Sequence, residues 1–384
     1  MQVLLIAFGL LGFELISYLP ELLNVDSRIV TVPYRAIYLI LCTFALLYFT
    51  WHKSVKVHIN FLPVLVFWFF YFIRATFDTF FRIDQIKMAI SDFWLFAFLL
   101  SFFPMLPLLA KINLKTIATT KIFVFCMAVF LNVMSVVYNY QSFSNPKLGR
   151  LGANLILNAI TSGQIGVTLV VMSLTFFHSK KGWVTASLSA LVVLGLANVV
   201  FAASRGPVMQ LVIMLLLFLF FNLKRIGYKK FSVFLIFFAC LGMYFSDYFA
   251  VYNNLVRRLG STGQAGYDDL RYVLFTGAWE QFLSHPLLGD LIEGRAFGGY
   301  PHNIFLESLM AMGVFGGMVM TYIFIYSFNN SLVLMRFRST DWIGCLLVMQ
   351  LVAQFTSGSI YSSFAFWSLI ALASTLKNNI ALYH

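Results

Sequence analysis

The chain alternates long apolar runs with short charged stretches. Most runs are about 17–25 residues, the length an α-helix needs to cross a bilayer core. About twelve helices are predicted, over 1–20, 34–51, 59–75, 88–110, 117–138, 155–177, 183–203, 207–222, 231–250, 303–328, 342–357 and 360–376. Strands of a membrane barrel would alternate polar and apolar positions in blocks of about ten residues, and these runs do not. The last two runs are short and are divided at Ser357-Gly358-Ser359. The pattern predicts an all-α polytopic membrane protein, one transmembrane domain over 1–384, with a single long hydrophilic loop over 251–301.

Composition agrees. The 384 residues are 61% hydrophobic and only 10% charged, against roughly 25% charged in soluble domains, so most of the chain cannot face water. Residues 1–20 lack a basic leader and a small-residue cleavage site, and read as a first span rather than a cleavable signal. Cys42, Cys126, Cys240 and Cys345 fall in separate spans, as packing thiols do. No Cys/His cluster has zinc spacing. Asp268 and Asp269 could hold a metal, but adjacent carboxylates at a helix start are commoner as caps.

Every second loop carries lysine: Lys53 and Lys56, Lys111 and Lys115, Lys180 and Lys181, Lys224 to Lys230, then Lys377, with Arg336 and Arg338 between. The positive-inside tendency makes these loops cytoplasmic and places both termini inside. The opposite loops carry arginine instead: Arg28, Arg35, Arg74, Arg82, Arg150, Arg205, Arg257, Arg258, Arg271 and Arg295. Orientation needs only positive charge, whereas phosphate recognition favours a planar, permanently charged fork. Arg28, Arg35, Arg74 and Arg82 read mostly as partners of Glu21, Asp26, Asp78, Asp84 or Asp92. The net charge of +12 is scattered and forms no stripe, so nucleic acid is not an expected partner and the bilayer surface is.

Within the long loop, Asp268 to Ser284 reads as a helix, stopped by His285-Pro286. Leu270, Val273, Leu274, Gly277, Ala278 and Phe282 make one apolar face, suited either to the outer membrane surface or to capping the bundle. Arg205 follows the seventh span, with Gly206 for a bend and Pro207 for a first helical turn, so its guanidinium stands at an anion-attracting helix N-terminus. His302 is expected in the first turn of the tenth span, next to Asn303. Arginines and a helix N-terminus disfavour imidazolium there, leaving a neutral group able to take a proton. Along that helix His302, Leu306, Leu309, Gly313, Gly316 and Gly317 should share one stripe, its glycines admitting a neighbouring helix. The sixth span is unusually polar, with Asn154, Asn158, Thr161, Ser162 and Gln164, which either pack helices or line a cavity. Glu14 is an ionisable group inside the first span with no evident partner.

His302-Asn303, nine residues, then Gly313-x-x-Gly316, after a loop with Arg271 and Pro286-Leu287-Leu288-Gly289, resembles the O-antigen ligase and O-antigen polymerase superfamily of bacterial cell-envelope enzymes. Ser204-Arg205-Gly206 resembles that family's arginine after the corresponding span. The similarity covers about residues 200–320.

The resemblance implies a glycosyltransferase of the GT-C kind in the bacterial inner membrane, with a periplasmic active site. Its donor would be an oligosaccharide on undecaprenyl diphosphate, and a polysaccharide chain-length regulator is a further candidate partner. Arg205 and Arg271 would hold the diphosphate, and His302 would engage the acceptor hydroxyl or the phosphate. Arg257, Arg258, Arg295 and Asn303 are candidate substrate-binding residues in the same region. The chain has no Asp-x-Asp motif, and inverting transfer without a metal or other cofactor is expected. Polymerase, with a second lipid-linked repeat unit as acceptor, is preferred over ligase, with lipid A-core. A transporter of the same lipid would place polar residues near mid-membrane and show two related halves; these arginines cluster at one interface, and no repeat is visible.

Overall fold

A computed structural model describes residues 1–143, 157–177, 182–226 and 269–380. These fold as helices, with no strand among the described residues. In chain order they are α1 (Gln2–Ile16), α2 (Leu19–Leu23), α3 (Ser27–Trp51), α4 (Leu62–Phe81), α5 (Ile90–Trp94), α6 (Leu114–Phe143), α7 (Ala159–Phe176), α8 (Gly182–Phe201), α9 (Arg205–Ile226), α10 (Asp269–Ser284), α11 (Ile304–Leu334), α12 (Asp341–Thr356) and α13 (Phe364–Ile380). Six segments among the described residues are long and apolar enough to cross a membrane: α3, Ile59–Phe81 containing α4, Leu114–Tyr138 of α6, α7, α8 and α11. The ninth predicted span, 231–250, and residues 251–268 of the predicted loop lie outside the described residues.

The first predicted span, 1–20, divides into α1 and α2, and two others depart further. Residues 88–110 are not one α-helix. They pass from α5 into a π-helix, Leu95–Phe102, and then a 3-10 helix, Phe103–Leu109. Pro104 and Pro107 explain the change, since each lacks an N–H and clashes with the preceding turn of an α-helix.

The second difference lies in α11, which bends at Gly313, where φ is 64° and ψ is −156°. That backbone region is essentially restricted to glycine. A Cβ there would lie 2.5 Å from the carbonyl carbon and oxygen of Leu287. Across the gap, Val314 N donates to Pro286 O at 2.7 Å and Asp290 N donates to Met310 O at 2.9 Å. The 286–290 turn therefore fills the break and caps the second arm, 314–334. That arm alone spans about 30 Å, a full bilayer core. The expected single stripe from His302 to Gly317 does not exist. A Cβ at Gly316 would lie 2.5 Å from Ser308 O, in the first arm of the same element, so the glycine admits that arm and not a neighbouring helix.

Aromatic rings fill the centre. Trp68 of α4 and Trp367 of α13 are both fully buried and meet edge to face at 5.0 Å.

Hydrogen bonds sort the loops into two ends. Gln2 Nε2 donates to Lys111 O at 3.0 Å, Lys111 N to Ser54 O at 3.0 Å, and Thr375 Oγ1 to Leu108 O at 3.1 Å. Lys121 Nζ pairs with Asp341 Oδ1 at 3.1 Å, and its ammonium also bonds Thr175 O at 3.1 Å. The described lysine-bearing loops joined by these contacts thus share one end of the bundle. Arg74, Arg82 and the 285–301 loop lie at the other. Arg74 pairs with Asp78 at 3.2 Å, as expected, but Arg82 pairs with Asp290 at 3.0 Å and not with Asp84.

Candidate active site

The site forms where α12 ends. Ser357 caps α12, donating its N–H to Ala353 O at 2.9 Å. Two other segments converge on this point. A Cβ on Gly206, beside Arg205, would lie 3.0 Å from Thr356 Oγ1. Asn303 Nδ2 donates to Phe355 O at 3.3 Å. The His302 imidazole is hydrogen bonded to the Ser357 backbone.

His302 sits just outside α11, not in its first turn. Asn303 is the N-cap, its side-chain oxygen accepting from Phe305 N at 3.0 Å and Leu306 N at 3.1 Å. An amide that caps one helix and bridges to another holds two elements in register. His302 itself has a left-handed backbone, φ 56°. Asn24, Lys53 and Ala203 share that feature among the described non-glycine residues, but each closes a helix, where it is the ordinary terminator. His302 closes none. Such a conformation costs about 1–3 kcal/mol and persists where surroundings enforce it.

Those surroundings fix the ring. Tyr300 meets it edge to face at 4.6 Å, and Tyr361 backs Tyr300 at 5.4 Å. Burial lowers the His302 pKa below its ordinary value, the Arg271 charge lowers it further, and the hydrogen bond to Ser357 opposes both. A bond that favours imidazolium is one the ring donates to a carbonyl. The other ring nitrogen of the neutral imidazole is then an acceptor.

Buried carboxylates build the loop that presents His302. Glu293 accepts from Lys87 N at 2.9 Å, Met88 N at 3.2 Å and Gly299 N at 2.6 Å. Asp78 accepts from Ile292 N at 2.9 Å. Glu307 accepts from Ser359 Oγ at 3.3 Å and Ile360 N at 3.0 Å, holding the turn after Ser357. Asp290 is clasped by Arg82 and Arg295; Arg295 Nη2 donates to its Oδ1 at 2.7 Å, and Arg295 Nε bonds Oδ2. Burial raises the Asp290 pKa, but the Arg295 bond and the charges of Arg295, His285 and Arg82 outweigh it and leave the value below normal.

The structure therefore brings His302 and Asn303 to the α12 end, sets the backbone next to Arg205 against Thr356, and lets the Arg271 charge act on His302. It engages Arg295 with Asp290. Arg257 and Arg258 lie outside the described residues, as does Asp268. Helix α10 ends at Ser284 as expected, and Leu274, Ala278 and Phe282 are buried, so this face caps the bundle. The apolar residues left exposed are Tyr272, Val273, Trp279 and Leu283, with Leu287 and Leu288 in the following turn.

A cleft of about 250 Å³ opens beside His302 and Tyr300. Glu14, Asn158, Thr161, Gln164, Gln350, Gln354 and the serines at 357, 362 and 363 line it. Asn158 also caps α7, accepting from Ile160 N at 2.9 Å, while Ser162 faces Ser135 at 3.3 Å and serves helix packing. The α12 glutamines and the Ser362-Ser363 pair are not singled out by the sequence pattern. Their signal was the spacing of four between Gln350 and Gln354, which sets both on one helix face.

Residues 190–289 match the family model described as O-antigen ligase. The match starts in α8, contains Arg205 and Arg271, and stops at Gly289, short of His302. It supports the O-antigen polymerase and ligase superfamily. No curated protein matches the chain.

Proposed function

We propose, on the strength of the match to the O-antigen ligase model over residues 190–289, that the protein transfers a glycan from undecaprenyl diphosphate to another lipid-linked repeat unit, the polymerase reaction. The observation that carries this is the fixed imidazole of His302, beside the Arg271 charge and at the mouth of a polar cleft. A periplasmic enzyme has no nucleotide sugar to draw on, so its donor must carry its own activation. A lipid diphosphate does.

The acceptor hydroxyl oxygen attacks the anomeric carbon, and the bond from that carbon to the diphosphate oxygen breaks. The hydroxyl proton passes to the free nitrogen of His302, a step worth about 10²–10⁴-fold as general base catalysis. Negative charge builds on the departing diphosphate, and Arg271 and Arg205 stabilise it in place, an effect of about 3–4 kcal/mol in comparable charge-stabilising sites. Arg257 and Arg258 precede α10 in the sequence and extend the phosphate site in this reading. Direct displacement inverts the anomeric configuration. The lysine-bearing end, with both termini, faces the cytoplasm by the positive-inside tendency. The site then opens to the periplasm of an inner-membrane GT-C-type enzyme, and a polysaccharide chain-length regulator is its candidate partner protein.

The O-antigen ligase description of the matched family favours a second reading, in which the same donor meets lipid A-core. Purified protein incubated with undecaprenyl-diphosphate repeat unit, with and without lipid A-core, decides between them by product size. A ladder without core is the polymerase result, and transfer to core alone is the ligase result. Folded protein that makes neither product contradicts glycan transfer.

A further inference from the structure

The cleft beside His302 has a chemistry the transfer step does not use. No arginine or lysine lines it among the described residues. A diphosphate would be unpaired there, and Arg205 and Arg271 are not among its walls. The lining offers amides, hydroxyls and one carboxylate. Amides donate and accept, and a carboxylate accepts from neighbouring hydroxyls, which suits a neutral polyhydroxylated ring. Phe13, Tyr300 and Phe364 add aromatic surface for the ring's C–H face.

Glu14 is the odd group. It lies about 18 Å along α1 from Gln2, towards the His302 end. Among the described residues no cation forms an ion pair with it. A carboxylate inside the bundle without a charged partner is costly, and it lines three cavities, one of them together with Arg35. The volume of about 250 Å³ is just under the roughly 300–1,000 Å³ of sites for larger ligands, so it fits one sugar ring.

We propose that this cleft is the acceptor subsite: it seats the terminal sugar of the acceptor glycan, with Glu14, Thr161, Gln164 and Gln350 bonding its hydroxyls and His302 at the attacking oxygen. The inference rests on the transfer reading above, and it adds an address for the acceptor, separate from the arginines that hold the donor. Glu14 becomes a specificity residue, because an acceptor lacking the hydroxyl it bonds leaves the carboxylate unpaired.

The test uses the full-length protein in lipid nanodiscs. The donor is undecaprenyl-diphosphate repeat unit at saturation, and the acceptor is the same repeat unit on a short alkyl chain, titrated. Binding of undecaprenyl diphosphate is measured in parallel, which also reports folding. Glu14→Gln is expected to raise acceptor KM about tenfold, as for loss of a charge-assisted bond, with kcat within about twofold and undecaprenyl diphosphate affinity unchanged. Thr161→Val, nearly isosteric, should raise the same KM about threefold to fivefold. Unchanged acceptor KM in both variants overturns the proposal, as does a loss confined to kcat or to undecaprenyl diphosphate affinity. Wild-type transfer by His302→Ala and Arg271→Ala would instead remove those two residues from the transfer step while leaving the cleft's acceptor KM result to stand, and folded wild-type protein that makes no product would remove the transfer reading itself.

Discussion

His302 and Ser357 are joined by a hydrogen bond from the imidazole to the backbone at the end of α12. The ring comes from the loop before α11, in a left-handed conformation that costs free energy. The Ser357 bond and the Tyr300 contact hold it there. With one ring nitrogen committed, the other is the acceptor of the neutral imidazole, and His302 lines the cleft.

The electrostatics of this ring give a pH prediction. Burial and then Arg271 lower its pKa, so neutral imidazole persists to lower pH than usual and the acid limb of the rate profile lies below about 6.5. Arg271→Gln removes a repulsion against the proton, and the pKa rises. The acid limb of kcat/KM should move to higher pH in that variant, beyond any general loss of rate. A limb that stays in place means His302 is not the titrating base, or that Arg271 is remote from it in the working enzyme.

Arg295 is expected to behave as a structural residue. Its partner Asp290 has a fully buried side chain, whereas the Arg295 side chain is 50% exposed. Breaking a fully buried pair costs about 3–5 kcal/mol. Solvent screening at Arg295 and the remaining Arg82 bond reduce this to about 1–2 kcal/mol. Arg295→Ala should lower the unfolding midpoint by about 1–3 °C, with kcat per folded molecule within about threefold of wild type. A large loss of kcat at unchanged stability would return Arg295 to the substrate.

Gly313→Ala should be among the more damaging single-methyl additions in the protein. It forces an alanine into a glycine-only backbone region, about 1–3 kcal/mol, and drives a Cβ against Leu287 at 2.5 Å. Gly299 also has positive φ, 79°, but a Cβ there meets nothing within 4 Å. Gly299→Ala should therefore cost only about 1 kcal/mol. Thermal unfolding of the two variants side by side checks the order; equal midpoints would argue against the break in α11.

Much of the helical frame was legible because bilayer thickness fixes the length of apolar runs, and charged loops mark their ends. Helix α10 and the division after Ser357 followed from ordinary stop signals. The Gly313 break was not legible. A glycine in a long apolar run looks like a helix-packing position, and only the 286–290 turn, brought back in space, shows otherwise. Arg295 was ambiguous for a related reason, since a guanidinium fork suits a carboxylate and a phosphate equally well. Glu14 stands out as an intramembrane charge, but its neighbours come from α7, α12 and the start of α13, and sequence distance hides them.

The central claim is that His302 and Arg271 act together on a lipid-diphosphate donor. Single-turnover transfer of a labelled undecaprenyl-diphosphate glycan by purified wild type, His302→Ala and Arg271→Ala tests it most directly. Both variants should lose at least about 100-fold in rate, and only Arg271→Ala should also weaken binding of undecaprenyl diphosphate. Variants that fold normally and transfer at the wild-type rate would contradict the account.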